Sequence, residues 1–387
     1  MVIRTTLGAV PVTVSLTDRA ITVSRDDEFV VAWDSGGRLY SVVEGEATYR
    51  RGLNGRVLVK RRVNGVRQHE WASDEHAAAI VDRGAALARE LLQAGALAHD
   101  VVVALEKVAR FDSRVAADDA IRFDRVYRPI GILPPDEYLA LVLQATEGCS
   151  FRSCTFCQFH REPYRVKSVR QFEDHVAAVR EYLGDSLRLR DRTVFLGSAN
   201  ALAVPMPGLV PIVDVLAREF PGRPVHAFLD GFTGVMKSAD DYAALAARGL
   251  RRVYIGLESG HDPLLALVGK PSTSEQVVET VQVIKSCGVK VGVIAMVGLG
   301  GDRFADAHMM ETAEAINAMH LGAGDLVYFS DLVDLPGSPY LKAAGDAGIR
   351  GLDAGERLAQ RQAIRSRLAF ARPAPQMATY DIREFVY

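Results

Sequence analysis

Cys149-Ser150-Phe151-Arg152-Ser153-Cys154-Thr155-Phe156-Cys157 puts three thiols on one short stretch, directly after the apolar run Tyr138-Leu139-Ala140-Leu141-Val142-Leu143-Gln144-Ala145-Thr146. The apolar run reads as a strand, and the stretch after it as a loop. A strand fixes the root of such a loop while the loop bends, so three thiolates can converge on one metal centre. Three thiolates leave a coordination position open. On a four-iron cluster the open iron is a place for a substrate or cofactor, whereas a structural zinc site is normally closed by a fourth ligand. His160 supplies that alternative as C-x4-C-x2-C-x2-H. The remaining cysteine, Cys287, stands far downstream. This usage is no disulfide framework, and a reducing compartment suits thiolate ligands.

The chain has 387 residues, of which 49% are hydrophobic, enough for a large α/β domain with an appendage. A formal net charge of -2 gives no electrostatic case for nucleic acid or a membrane surface as the main partner. No apolar run reaches the roughly 18 residues of a membrane span. The first residues lack the layout of a signal peptide, so a cytoplasmic location is expected.

Outward from the cysteines, the pattern divides the chain into residues 1–127, 128–345 and 346–387. The first part alternates in short runs. Glu28–Asp34, a Ser-Gly-Gly turn and Arg38–Val43 read as a hairpin; Asn54-Gly55 and Asn64-Gly65 read as further turns. Helical spacing follows from Ser73 to about Gln93 and from Asp100 to Arg110. These features predict a small α+β domain, with Arg50-Arg51 and Lys60-Arg61-Arg62 on a solvated strand face. After the proline-rich connector Arg128–Pro135 the register changes. Strand-like runs at Tyr138–Thr146, Thr193–Leu196, Val225–Leu229, Arg252–Leu257, Val289–Val297 and Asp325–Phe329 alternate with helical patterns. Six β/α units demand parallel strands with crossover helices, closing into a partial (β/α)6 barrel with its site at the strands' C-terminal ends. Residues 346–387 read as a helical extension and a tail that either folds over the open barrel or joins an interface.

Motifs at successive strand ends sharpen this. Gly148-Cys149, Phe156 before the last cysteine, Gly256-Leu257-Glu258-Ser259, Met296-Val297-Gly298-Leu299-Gly300-Gly301 and Asp331–Tyr340 come in that order. In these features the chain resembles the radical S-adenosylmethionine (radical SAM) superfamily over residues 136–345. Its spacing is C-x4-C-x2-C where the superfamily's commonest is C-x3-C-x2-C, and glycine stands where a typical member has proline after the fifth strand. The resemblance implies that Cys149, Cys154 and Cys157 hold a [4Fe–4S] cluster whose fourth iron takes the amino and carboxylate groups of S-adenosylmethionine. It implies contacts to that cofactor from Phe156, Glu258, Ser259, Gly298 and Leu332, and it suggests that Arg165 backs the cofactor carboxylate. Where many members carry Gly-Gly-Glu, this chain has Gly197-Ser198-Ala199-Asn200. Ser198 and Asn200 either supply the missing oxygens or form an ordinary helix start.

The implied activity is reductive cleavage of S-adenosylmethionine to a 5′-deoxyadenosyl radical that abstracts hydrogen from a small molecule, with flavodoxin or ferredoxin as electron donor. No conventional catalytic triad is expected beyond the cluster and cofactor. Asp230, Lys237, Tyr328, Asp331 and Asp334 are the substrate candidates, while His226 reads as a satisfied core histidine. A later cysteine-rich segment is lacking, which disfavours auxiliary-cluster branches, and hairpins precede the barrel where a cobalamin-dependent methyltransferase would carry a β/α fold. Rival readings are transfer of a 3-amino-3-carboxypropyl group, a non-catalytic iron–sulfur electron carrier or sensor, and a zinc-stabilised binding protein. Substrate, cofactor turnover, the role of the N-terminal domain and oligomeric state stay open at this point.

Overall fold

Seven parallel strands carry the cysteine loop: β1 (Leu141–Gln144), β2 (Val194–Gly197), β3 (Val225–Leu229), β4 (Leu250–Glu258), β5 (Lys290–Val297), β6 (Leu326–Asp331) and β7 (Gln376–Thr379), neighbouring one another in that order. They belong to a computed structural model that describes residues 1–63, 66–95, 97–159, 162–333 and 337–387; the turn expected at Asn64-Gly65 lies outside these.

The first six strands are the six expected. Their residues form nearly unbroken apolar runs because helices cover one face of the sheet and the curled sheet covers the other. Leu143, Leu196, Val253, Ile255, Val293 and Val327 are all buried, and they merge with the crossover helices into one core. The crossover helices start where side chains can take up free backbone donors. Ser168, Ser238 and Thr273 form capping boxes with Gln171, Asp241 and Gln276 ahead of helices Val169–Leu183, Ala239–Ala247 and Ser274–Ser286.

β7 was not foreseen. Its four residues are mostly exposed and lack an apolar pattern, so main-chain pairing with β6, from Leu326↔Gln376 to Phe329↔Thr379, defines it. Beyond β7 the tail crosses the open side of the barrel. The Tyr380 hydroxyl donates to the Leu133 carbonyl (2.7 Å). The Tyr387 hydroxyl accepts from the Val142 amide (3.0 Å) and donates to the Ala140 carbonyl (3.1 Å), so one side chain caps the free edge of β1. Of the two fates open to the tail in the sequence, folding over the barrel is the one observed. Tyr387→Phe leaves a buried amide without an acceptor and is expected to lower unfolding stability by about 1–3 kcal/mol; urea denaturation measures it.

The N-terminal part is an eight-stranded antiparallel sheet in sequential order, from Val2–Leu7 to Val66–Trp71. Alternate residues such as Val14, Val23, Val31 and Trp33 pack under helices Asp74–Ala94 and His99–Arg110. A third helix, Ser113–Val126, escaped the sequence reading because few of its positions are buried. It bridges the two parts of the chain. Its buried Asp119 accepts Arg38 from the N-terminal sheet (2.8–3.0 Å), and Arg38 also donates to the Tyr182 and Leu183 carbonyls of the helix after β1. The expected solvated face is corrected at Arg51 and Lys60. Arg51 is buried, donating to the Ala116 carbonyl (3.0 Å) over the Phe111 ring, and Lys60 pairs with Glu384 of the tail (2.6 Å). Strand alternation does not reveal that a helix and a tail cover part of that face.

Candidate active site at the strand ends

The cysteine loop leaves β1 through a short antiparallel ribbon, Thr146–Glu147 against Arg165–Val166, which ties its two ends together. Lys167 pairs with Glu147 (3.1 Å) across the base. Gly148, at φ +66°, has to be glycine there, since a Cβ would lie 2.2 Å from the Glu162 carbonyl oxygen. The middle of the loop is fixed from the far side of the barrel. The Thr155 amide donates to Val268 O (2.9 Å) and the Ser153 hydroxyl to Gly269 O (2.7 Å), while the Tyr340 amide donates to Thr155 O (3.2 Å). Segments after β4 and β6 thus hold the loop over the strand ends.

The three sulfurs converge closely enough to feel one another's charge. Burial pushes the Cys154 thiol up to about 12, and burial pushes Cys157 to about 11 despite a hydrogen bond to the Phe159 carbonyl. Such thiols are poor nucleophiles alone and become thiolates when a metal takes the place of the proton. Among the described residues, the set of three or more His, Cys, Asp or Glu side chains whose donor atoms all lie within 4.8 Å of one another is His69, Asp381 and Glu384. Three thiol donors carried on one loop have the chemistry of an iron–sulfur ligand set. His160 lies outside the described residues, and Cys287 is elsewhere, with its sulfur against the Ala239 carbonyl.

At the end of β4 the chain turns sharply. Glu258 has φ +60°, and the pairing with β5 shifts register between Gly256 and Glu258. Its carboxylate folds back to Lys270 (3.1 Å), both side chains largely buried at 13% and 9% exposure. Gly256 makes room for the pair, because a Cβ would lie 2.1 Å from Glu258 Oε1 and 3.0 Å from Lys270 Nζ. Burial by itself would lower the Lys270 pKa; the charges of Glu258 and Cys154 reverse this and raise it. Lys270 was missed in the sequence, where the one signal was a lysine set between Gly269 and Pro271 after an apolar helix.

Ser259 faces away from the sulfurs. Wholly buried, it accepts from the His261 amide (3.0 Å) and donates to His308 Nδ1 (2.8 Å). His308 Nε2 lies 3.0 Å from the Met296 carbonyl, which makes this nitrogen the donor and the ring neutral. The imidazole on helix Gly301–Ala318 so ties the ends of β4 and β5 together. Burial holds His308 at about 4, and burial likewise holds His175, whose Nε2 accepts from the Gln144 amide (3.0 Å), at about 4. Both values lie below the unfolded value near 6.5. The unfolded chain thus binds these protons first, and stability present above pH 6.5 is lost as pH falls toward 4, by up to about 3 kcal/mol per histidine. Thermal melts between pH 7 and 4 are expected to show it, with a shallower slope for the His175→Gln protein.

After β5 and β6 lies a small apolar cluster in which Phe156 of the cysteine loop packs beside Met296, Leu299, Leu332 and Tyr340. Phe156 and Leu332 share this cluster. Gly298 and Gly300, both at positive φ, turn their amides to Gln360 Oε1 (2.7 Å) and the Tyr340 hydroxyl (2.9 Å). Gln360 comes from helix Ala354–Ser366, and Arg357 of the same helix donates to Leu332 O (2.6 Å). The helical extension therefore forms part of the site's wall. That role left no motif in the sequence.

On the β2 and β3 side, Asn200 donates to Ser150 of the cysteine loop (2.9 Å) and to Asp230. Asp230 also accepts the Thr233 amide (2.8 Å) and hydroxyl (2.6 Å). The Ser198 amide donates to Thr146 (3.0 Å). Lys237 is buried, donates to the Val204 carbonyl (3.0 Å) and has its pKa lowered by that burial. Phe151 of the cysteine loop and Phe232 after β3 meet edge to face.

Tyr328 lies apart from these residues. The Tyr328 hydroxyl donates to Asp136 (2.7 Å) at the opposite, N-terminal end of the strands, where His226 meets Glu137. Asp331 faces Arg361 at 3.5 Å. Arg165 is exposed on the ribbon, and Asp334 lies outside the described residues.

A parallel partial barrel with three convergent cysteines over its strand ends defines an iron–sulfur enzyme architecture. Residues 143–314 match the Radical SAM superfamily, so this chain carries a domain of that superfamily. The cofactors of this superfamily are a [4Fe–4S] cluster and S-adenosylmethionine. No curated protein matches the sequence. Among solved structures, the cobalamin-dependent S-adenosylmethionine radical enzyme OxsB is 15% identical over 59% of this chain and 31% of its own, with a TM-score of 0.40. Methylornithine synthase (PylB) is 13% identical over 76% and 77% (TM-score 0.41). Coproporphyrinogen III oxidase (HemN) from Escherichia coli is 15% identical over 63% and 54% (TM-score 0.41). The chain spans about a third of the length of OxsB. Likenesses this slight carry no information about substrate. Among the described residues, no helix is long and apolar enough to cross a membrane.

Proposed function

We propose that this enzyme cleaves S-adenosylmethionine reductively and uses the resulting radical to abstract hydrogen from a small molecule. The observation that supports it is three thiols held on one loop over the strand ends, beside a largely buried Glu258–Lys270 pair and an apolar wall containing Phe156 and Leu332. Cys149, Cys154 and Cys157 would hold a [4Fe–4S] cluster. The chemistry this cluster and S-adenosylmethionine supply when bound is one-electron cleavage of a sulfonium C–S bond, giving methionine and a 5′-deoxyadenosyl radical.

The chain's own part is to bind, orient and exclude water. Glu258 would offer an acceptor for the cofactor's ammonium group, and the Gly298 turn, held by Gln360 and packed on Arg357, would flank the adenine. Asn200 with Asp230 would offer a polar side, and Phe151 with Phe232 an apolar side, to the substrate. An external donor such as flavodoxin or ferredoxin would provide the electron.

The test is anaerobic reconstitution with iron and sulfide, reduction with dithionite, addition of S-adenosylmethionine and mass spectrometry of the products. 5′-Deoxyadenosine and methionine are expected. Methylthioadenosine would instead indicate aminocarboxypropyl transfer, and an unconsumed cofactor a cluster without this catalysis; either overturns the proposal.

A further inference from the structure

We infer that Lys270 is a positioning residue that holds the Glu258 carboxylate in place and supplies a fixed positive charge beside the cysteine loop, thereby raising the reduction potential of the centre the cysteines bind. The inference rests on the reading of Cys149, Cys154 and Cys157 as ligands of a [4Fe–4S] cluster.

The geometry leaves Lys270 little freedom. Its amide donates to Leu265 O (2.9 Å), closing the end of the helix Asp262–Leu267. The two residues before it are fastened to the cysteine loop, since Val268 O accepts from the Thr155 amide and Gly269 O from the Ser153 hydroxyl. Gly269 is at φ +69°, and a Cβ on it would lie 2.5 Å from Ser153 O. The backbones carrying Lys270 and Cys154 are thus in direct contact, and their position is shared. The ammonium is then folded onto Glu258, which reaches it through the positive-φ turn and the space left by Gly256.

Charge accounting explains what such a lysine does. The thiolates and Glu258 are negative groups around the centre, and Lys270, largely buried itself, brings a positive charge against them. Adding an electron to a thiolate-bound centre increases the negative charge there, and a fixed cation nearby favours that reduced form. In a medium of low dielectric constant the effect is much larger than in water. The same lysine holds the Glu258 carboxylate in one orientation through their 3.1 Å contact.

The experiment is a redox titration of the reconstituted full chain, followed by the paramagnetic resonance signal of the reduced cluster, for wild type, Lys270→Met and Lys270→Arg. With equal iron and sulfide content, Lys270→Met is expected to shift the midpoint to a more negative potential, and Lys270→Arg to stay close to wild type. An unchanged or more positive midpoint in Lys270→Met overturns the inference. Should Lys270→Met fail to take up iron, Lys270→Gln replaces it with the same expected shift and the same overturning result. Wild-type protein that takes up no iron would overturn the cluster reading itself, an outcome recognised by iron analysis before any potential is measured.

Discussion

Cys154→Ala protein, reconstituted anaerobically, is expected to stay folded, to lose most of its bound iron and sulfide, and to make no detectable 5′-deoxyadenosine. The separation of fold from cluster follows from how the loop is held. Its position depends on backbone contacts, Thr155 N to Val268 O and Thr155 O to Tyr340 N, and on the Ser153 hydroxyl, none of which uses the cysteine side chain. Stability of the iron-free protein should therefore change by no more than about 1 kcal/mol, as for an ordinary substitution. Cluster assembly has no such redundancy. With Cys287 far off against Ala239, no other cysteine can replace the lost ligand, and Cys287→Ala serves as a control that should keep its iron. Iron analysis, visible absorption and a thermal melt decide it. Retention of a full cluster by Cys154→Ala would remove this residue from the ligand set.

Glu258→Gln is expected to destabilise the chain by roughly 3 kcal/mol or more, because it leaves the buried Lys270 ammonium without its anion. The neutral pair Glu258→Gln with Lys270→Met should recover most of the loss, since removing both charges removes the uncompensated desolvation. Urea unfolding of the two single variants and the double variant measures the coupling. Single-variant losses well under about 1 kcal/mol would mean that the pair is solvated and exerts little hold on the β4 turn.

What could be read from the sequence follows from the physics of each part. The six barrel strands were legible because strands buried on both faces must be continuously apolar, and Val225–Leu229 was bounded to the residue. The cysteines were legible because their spacing is local. Lys270 and Gln360 were not, since each reaches its partner through a turn or a helix that only the folded chain brings near: Glu258 lies before an intervening helix, and Gly298 belongs to another strand. Ser259 read as a residue facing the cofactor because it stands next to Glu258. The positive φ at Glu258 sends the two side chains in different directions, and Ser259 turns inward to His308. Tyr328 similarly lies on a barrel strand yet reaches Asp136 at the wrong end, which strand membership cannot reveal. β7 was hidden because an exposed edge strand is specified by main-chain bonds that leave no side-chain pattern.

The central claim is that the three cysteines hold a cluster with an iron open to S-adenosylmethionine. Its most direct test is the paramagnetic resonance spectrum of the dithionite-reduced, reconstituted protein recorded with and without that cofactor. A spectrum that changes on addition, and does so less in the Glu258→Gln protein, is the predicted result. A cluster whose spectrum is identical with and without S-adenosylmethionine would contradict the account and make the protein an iron–sulfur carrier or sensor.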